Sequence, residues 1–151
     1  MKPDFTPKII VFACNRCSYG GADLAGVSRL QYPPSIRLIR VMCSGMFAAS
    51  YALEAFEKGA DGVLLSGCHI GDCHYNEGNY KALEVVEKTR QIMKLLGIED
   101  GRLRREWISA LEGPRFAQVM TEFTEQIQQL GRNTFVRKDL PQTVFAATAQ
   151  T

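Results

Sequence analysis

Five cysteines fall in three short clusters: Cys14 and Cys17, then Cys43, then Cys68 and Cys73. Cys14-Asn15-Arg16-Cys17 is a Cys-x-x-Cys, and Cys68-His69-Ile70-Gly71-Asp72-Cys73 is a Cys-x4-Cys. Either spacing lets two thiolates of one turn reach the same cluster, and Gly71 lets the backbone bend around it. Thiolates are soft ligands for iron–sulfur clusters and for zinc. The opening residues Met1 to Thr6 lack the apolar stretch and small-residue cleavage site of a signal peptide, so the expected location is the cytoplasm. Thiols stay reduced there, and an odd number of them argues for metal or redox chemistry over a disulfide framework.

Several chemistries compete for these sulfurs. Four thiolates drawn from two loops, or from three strand ends, suit an iron–sulfur cluster or a structural zinc. Zinc usually sits on two tight knuckles that are themselves the fold element, and this chain has core material enough to fold without them. A metal-free redox pair at Cys14 and Cys17 is the third reading, a zinc-stabilised interaction module the form the zinc reading would take, and plainly buried small residues the last. The extra cysteines count against a lone redox pair. All five remain candidate ligands for four places. Cys14, Cys17, Cys68 and Cys73 lead on their chelating spacings, and Cys43 ranks last.

The flanking polar residues are less informative. His69 and His74 each directly follow a cysteine, and adjacent residues do not easily aim at one iron. They are assigned to hydrogen bonding around the site or to loop structure. Arg16 and Arg40 either offset the charge of a thiolate-bound cluster or are ordinary surface cations. Gly20-Gly21 belongs to no phosphate-binding pattern, and no Ser/His/Asp set or carboxylate pair stands out. Substrate chemistry has no visible machinery, so the residues alone read as a cluster-bearing electron carrier with no catalytic residue of its own.

The elements that must position these thiols alternate. Lys8–Ala13, Ile36–Met42 and Gly62–Ser66 read as strands, each leading into a cysteine cluster. Helices are expected over Ala22–Leu30, Phe47–Lys58, from about Gly78 to Leu96, and over Pro114–Leu130. Arg102–Ser109 is expected as a fourth strand, at an edge. Strands alternating with helices of this length imply parallel βαβ units, hence a small doubly wound, mostly parallel α/β sheet of about four strands. Such sheets place ligands beyond the carboxyl ends of their strands, where Cys14, Cys43 and Cys68 fall.

Composition sets the outer bounds. The 151 residues, 46% hydrophobic, suffice for one domain with its own core. A net charge of +2 supplies no global field toward nucleic acid or membrane surfaces, and no apolar run approaches the roughly 20 residues of a membrane span. The domain is expected over 1–131. The remaining 132–151 is expected as an extended or partner-bound tail, with Phe135, Val144 and Phe145 as docking residues.

The segments Phe12–Tyr19, Arg40–Gly45 and Gly62–Tyr80 resemble the methyl-viologen-reducing hydrogenase delta subunit family. The similarity runs over about residues 7–132 and includes Trp107-Ile108-Ser109-Ala110 and the helix ending at Leu130-Gly131. The resemblance implies a small protein with one 2Fe–2S cluster. It would relay electrons from a hydrogenase or formate dehydrogenase to the flavin-containing heterodisulfide reductase A subunit. It also implies that all five cysteines stand at family positions, without saying which is spare.

Overall fold

The computed structural model describes residues 5–135. Four strands, β1 (Ile9–Cys14), β2 (Ile36–Val41), β3 (Gly62–Gly67) and β4 (Leu103–Trp107), form one sheet in the order β2-β1-β3-β4. Every pairing is parallel, with Ile9 beside both Ile36 and Gly62, and Val63 beside Leu103. The helices are α1 (Ser18–Val27), α2 (Ala49–Glu57), α3 (Gly78–Leu96) and α4 (Gly113–Leu130). This is the expected α/β architecture.

The sequence explains the layering. The central strands β1 and β3 are almost wholly buried, as parallel strands covered on both faces must be. Alternate residues take opposite faces. Val11 and Leu64 pack with Ala22 and Ala25 of α1 and with Phe116, Phe123 and Ile127 of α4. Phe12, Val63 and Leu65 pack instead with Phe56 of α2 and with Ala82, Val86 and Met93 of α3. The strand order reverses between β1 and β3, which opens the crevice beyond their carboxyl ends. Cys14 ends one of these strands and Cys68 follows the other.

One boundary differs from expectation in a way that matters. Helix α1 starts at Ser18 rather than Ala22 and takes in Gly20 and Gly21. A Cβ on Gly20 would lie 2.9 Å from the Ala110 Cβ, and one on Gly21 would lie 2.8 Å from the Ser109 carbonyl oxygen. These glycines serve close packing of α1 on the β4–α4 turn, not a turn of their own. The earlier start puts Cys17 at the amino-terminal cap of the helix.

The opposite rim is tied by Arg102, whose side chain is fully buried. Its guanidinium donates to the carbonyls of Asp61 (3.0 Å), Gly131 (2.9 Å) and Arg132 (3.2 Å), and to the Glu99 carboxylate at 2.6 Å. Asn133 extends the tie: its Nδ2 donates to the Phe56 and Ala60 carbonyls, and its amide donates to the Asp61 carboxylate. Phe135, expected as a docking residue, packs partly buried on the α2/α3 core of its own chain. Val144 and Phe145 lie outside the described residues.

The Arg102 contact holds the Glu99 carboxyl below its ordinary range, against the smaller opposing effect of burial. A depressed carboxyl contributes stability that is present above the unfolded value and lost as pH falls through the folded one. Glu99→Gln should therefore show a shallower fall in Tm on acidification below the ordinary carboxylate range. Glu99 is half exposed, so solvent screening limits the difference to about 1 kcal/mol or less. Thermal melts of both proteins across that range measure it.

Candidate thiolate metal centre

All five cysteines lie at the carboxyl ends of the strands, as their positions in sequence implied. Cys14 is the last residue of β1, Cys43 follows β2, Cys68 follows β3, and Cys73 lies in the loop before α3. All but the half-buried Cys17 are buried, and none is in a disulfide. The sulfurs resolve into two groups. Cys14 Sγ and Cys68 Sγ are 3.6 Å apart, and Cys17 Sγ joins them with all three within 4.8 Å of one another. Cys43 Sγ and Cys73 Sγ are 3.7 Å apart. The Cys-x-x-Cys sulfurs share the first group, while the contacts of 3.6 and 3.7 Å run between loops and the Cys-x4-Cys is divided between the two groups. Cys43, ranked last from sequence, is as closely partnered as any.

The backbone around the second pair is built to admit it. A Cβ on Gly78 would stand 2.1 Å from Cys43 Sγ and 3.0 Å from Cys73 Sγ, so only glycine leaves room for both sulfurs at the start of α3. Gly45 closes the other side, where its own Cβ would meet the Gly78 Cα at 2.8 Å. Its amide donates to Cys43 Sγ at 3.4 Å. Soft donors held in a cradle a single methyl would fill are a fit for a metal–sulfur group.

The thiols are unequal. Burial pushes Cys68 strongly upward, helped by hydrogen bonding to Cys17 and the nearby Cys14. Burial also raises Cys17 and Cys43. Burial alone would raise Cys73 too, but the amides of Tyr75, Asn79 and Gly78, with the Cys43 thiol, outweigh it and hold Cys73 below the ordinary thiol value. A cation bound among these sulfurs would override these differences, because coordination deprotonates a thiol outright.

Surrounding residues fix the loops. Asn79, buried at the start of α3, donates to the carbonyls of Cys68 (3.2 Å) and His69 (2.8 Å). Sequence reading missed it, and a Gly-Asn pair just after a cysteine loop was the only available signal. His69 contacts the Glu112 carboxylate, which also accepts the Ser109 amide at 2.9 Å. That joins the cysteine loop to the β4–α4 turn. His74 packs edge-on against Tyr75, and the Arg40 guanidinium lies 5.1 Å from the centre of the Tyr19 ring. Beside the second pair is a recess of about 330 Å³ lined by Met42, Cys43, Gly45, Met46, Tyr75, Gly78 and Lys81. Met42, Met46 and Tyr75 are each about half exposed.

A parallel α/β sheet with a buried set of free thiols at its switch point defines a class: a small thiolate-centre protein, equipped for metal or redox chemistry. Residues 9–131 match the model of the methyl-viologen-reducing hydrogenase delta subunit family. The chain belongs to that family. It is 53% identical over 131 residues to the iron-sulfur D subunit of the vhc F420-non-reducing hydrogenase of Methanococcus voltae, covering 87% of this chain and 91% of that protein. It is 49% identical over 137 residues to the iron-sulfur D subunit of the F420-non-reducing hydrogenase of Archaeoglobus profundus, covering 91% of this chain and all of that one. A third relative, the A subunit of the ferredoxin:CoB-CoM heterodisulfide reductase of Methanosarcina mazei, is 46% identical over 125 residues. There the match takes 83% of this chain but 16% of the relative, so a similar unit stands inside a much longer polypeptide. Among the described residues, no helix is long and apolar enough to cross a membrane.

Proposed function

We propose that the chain is a non-catalytic electron-transfer subunit that carries one 2Fe–2S cluster on four of its five cysteines. One observation carries this reading: buried, unbridged thiols from three strand ends and one loop converge into two groups with sulfur contacts of 3.6 and 3.7 Å. When bound, such a cluster takes up and gives back one electron at a time. The protein's own residues hold the thiolates and shield them from water. Backbone amides of Gly45, Tyr75, Gly78 and Asn79 are aimed at the sulfurs of the Cys43/Cys73 pair and offset their charge. The apolar rim of Met42, Met46 and Tyr75 gives a neighbouring redox protein a surface to rest on close to those sulfurs.

The names of the relatives supply the partners. Relatives called hydrogenase iron-sulfur subunits support a hydrogenase as electron donor, with a formate dehydrogenase as the other donor implied by family resemblance. For the acceptor, the Methanosarcina relative supports the flavin-containing heterodisulfide reductase A subunit, since a similar unit there shares one polypeptide with that subunit. The protein would work in the cytoplasm, where its thiols stay reduced. The tail outside the cluster domain would begin after residue 135, because Asn133 and Phe135 are tied to the domain itself.

A second reading is favoured by one feature, the proximity of Cys43 and Cys73 together with the lowered Cys73 thiol: a metal-free thiol–disulfide oxidoreductase. Anaerobic reconstitution with iron and sulfide separates the readings. About two irons and two sulfides per chain, with visible absorption that bleaches on reduction, is the expected result. Tight zinc binding without sulfide would contradict it.

A further inference from the structure

We infer that the cluster is held by two pairs of cysteines, Cys14 with Cys68 and Cys43 with Cys73, and that Cys17 is the sulfur left over. The inference rests on the cluster reading and concerns the division of labour within it. A tetrahedral metal with metal–sulfur bonds of about 2.3 Å spaces neighbouring sulfurs about 3.8 Å apart. The two contacts of 3.6 and 3.7 Å match that edge, so each pair is already set as a two-sulfur ligand for one metal. A 2Fe–2S cluster asks for two thiolates on each of its two irons, hence for two such pairs.

The competing arrangement takes the trio of Cys14, Cys17 and Cys68 with one further sulfur. Three sulfurs around one point suit a single metal, and they would strand either Cys43 or Cys73. The cradle argues against that waste. Gly78 and Gly45 are both backbone positions where a methyl group would collide, and Gly78 makes room for the two sulfurs together. No comparable clearance surrounds Cys17, which is also the one cysteine of the five that is not buried. A ligand exposed to water loses the shielding that the other four possess.

The assignment therefore separates Cys17 from Cys43 and Cys73. The test uses the full chain, reconstituted anaerobically with iron and sulfide, with iron and sulfide content and the EPR spectrum of the reduced protein as readouts. Cys17→Ala should load to the wild-type level with an unchanged spectrum. Cys43→Ala and Cys73→Ala should each lose at least half of their iron and sulfide. Where an alanine variant does not fold, as judged by circular dichroism, Cys43→Ser and Cys73→Ser should shift the spectrum while Cys17→Ser does not. In the loaded wild type, iodoacetamide should modify one cysteine, and peptide mass mapping should place it at position 17. Loss of iron from Cys17→Ala, with Cys43→Ala still loading, would overturn the assignment and leave the cluster standing. A wild-type chain that takes up no sulfide would remove the cluster itself and the assignment with it.

Discussion

Replacing Gly78 with alanine is expected to lower cluster uptake at least tenfold while leaving the domain folded. The added methyl would fall 2.1 Å from Cys43 Sγ, far inside any real contact, and 3.0 Å from Cys73 Sγ. The wall behind it is the backbone at Gly45, which cannot swing away as a flexible side chain could. The sulfurs must turn outward, and the pair ceases to present both to one metal. A tenfold loss corresponds to about 1.4 kcal/mol of binding free energy, well within what a single overpacked methyl costs, about 1–3 kcal/mol. The better helix propensity of alanine, worth up to about 1 kcal/mol, partly offsets the strain in the apo domain, so folding should persist. Gly26→Ala provides the matched control. Gly26 also lies in a helix, nothing stands within 4 Å of its added Cβ, and uptake there should equal wild type. Iron and sulfide analysis after reconstitution decides the matter, and normal uptake by Gly78→Ala would mean that the Cys43/Cys73 pair does not bind metal as a unit.

Arg102→Met is expected to cost about 3–5 kcal/mol of stability. The guanidinium satisfies carbonyls from separate stretches: Asp61 before β3, and Leu130, Gly131 and Arg132 at the end of α4 and beyond. Methionine fills the volume but leaves these acceptors unpaired, the Asp61 carbonyl in the buried interior and the others partly buried. Removing one partner from a buried charged network costs far more than replacing the whole network with apolar groups. For a chain of this size the change corresponds to a Tm lowered by roughly 10 °C. Urea denaturation at constant slope measures it. Arg102 lies just ahead of β4, at the amino ends of the strands, while the cysteines lie at the carboxyl ends. The reduced-state EPR spectrum of the loaded variant should therefore match wild type. A loss below about 1 kcal/mol would show that water reaches the freed carbonyls.

Both effects bear on what could be read from the sequence. Strands β1 and β3 were legible because a parallel strand covered on both faces is a near-continuous apolar run, as in Ile9-Ile10-Val11-Phe12 and Val63-Leu64-Leu65. The gathering of five cysteines at one rim followed from their places at strand ends. Their pairing did not follow. Spacing within a loop rewards Cys14 with Cys17 and Cys68 with Cys73, whereas the close contacts join residues 54 and 30 positions apart. Those contacts depend on strand order: Cys14 and Cys68 meet because β1 and β3 are neighbours, and Cys43 finds its partner only because the β3–α3 loop reaches across. Gly20 and Gly21 fall outside the expected helix because their reason lies on a distant element, the turn at Ser109 and Ala110. Arg102 was legible only as the first residue of the expected fourth strand, since nothing local marks an arginine whose partners are carbonyls far along the chain.

The central claim is that this chain stores one electron on a thiolate-held cluster. A spectroelectrochemical titration of the anaerobically reconstituted protein tests it most directly. The visible absorption should bleach reversibly with a slope of about 59 mV per tenfold change in the oxidised-to-reduced ratio, the mark of a one-electron couple. No bleachable visible band, with thiol labelling of the chelator-treated chain following a slope of about 29.6 mV, would identify a two-electron dithiol–disulfide couple and contradict the claim.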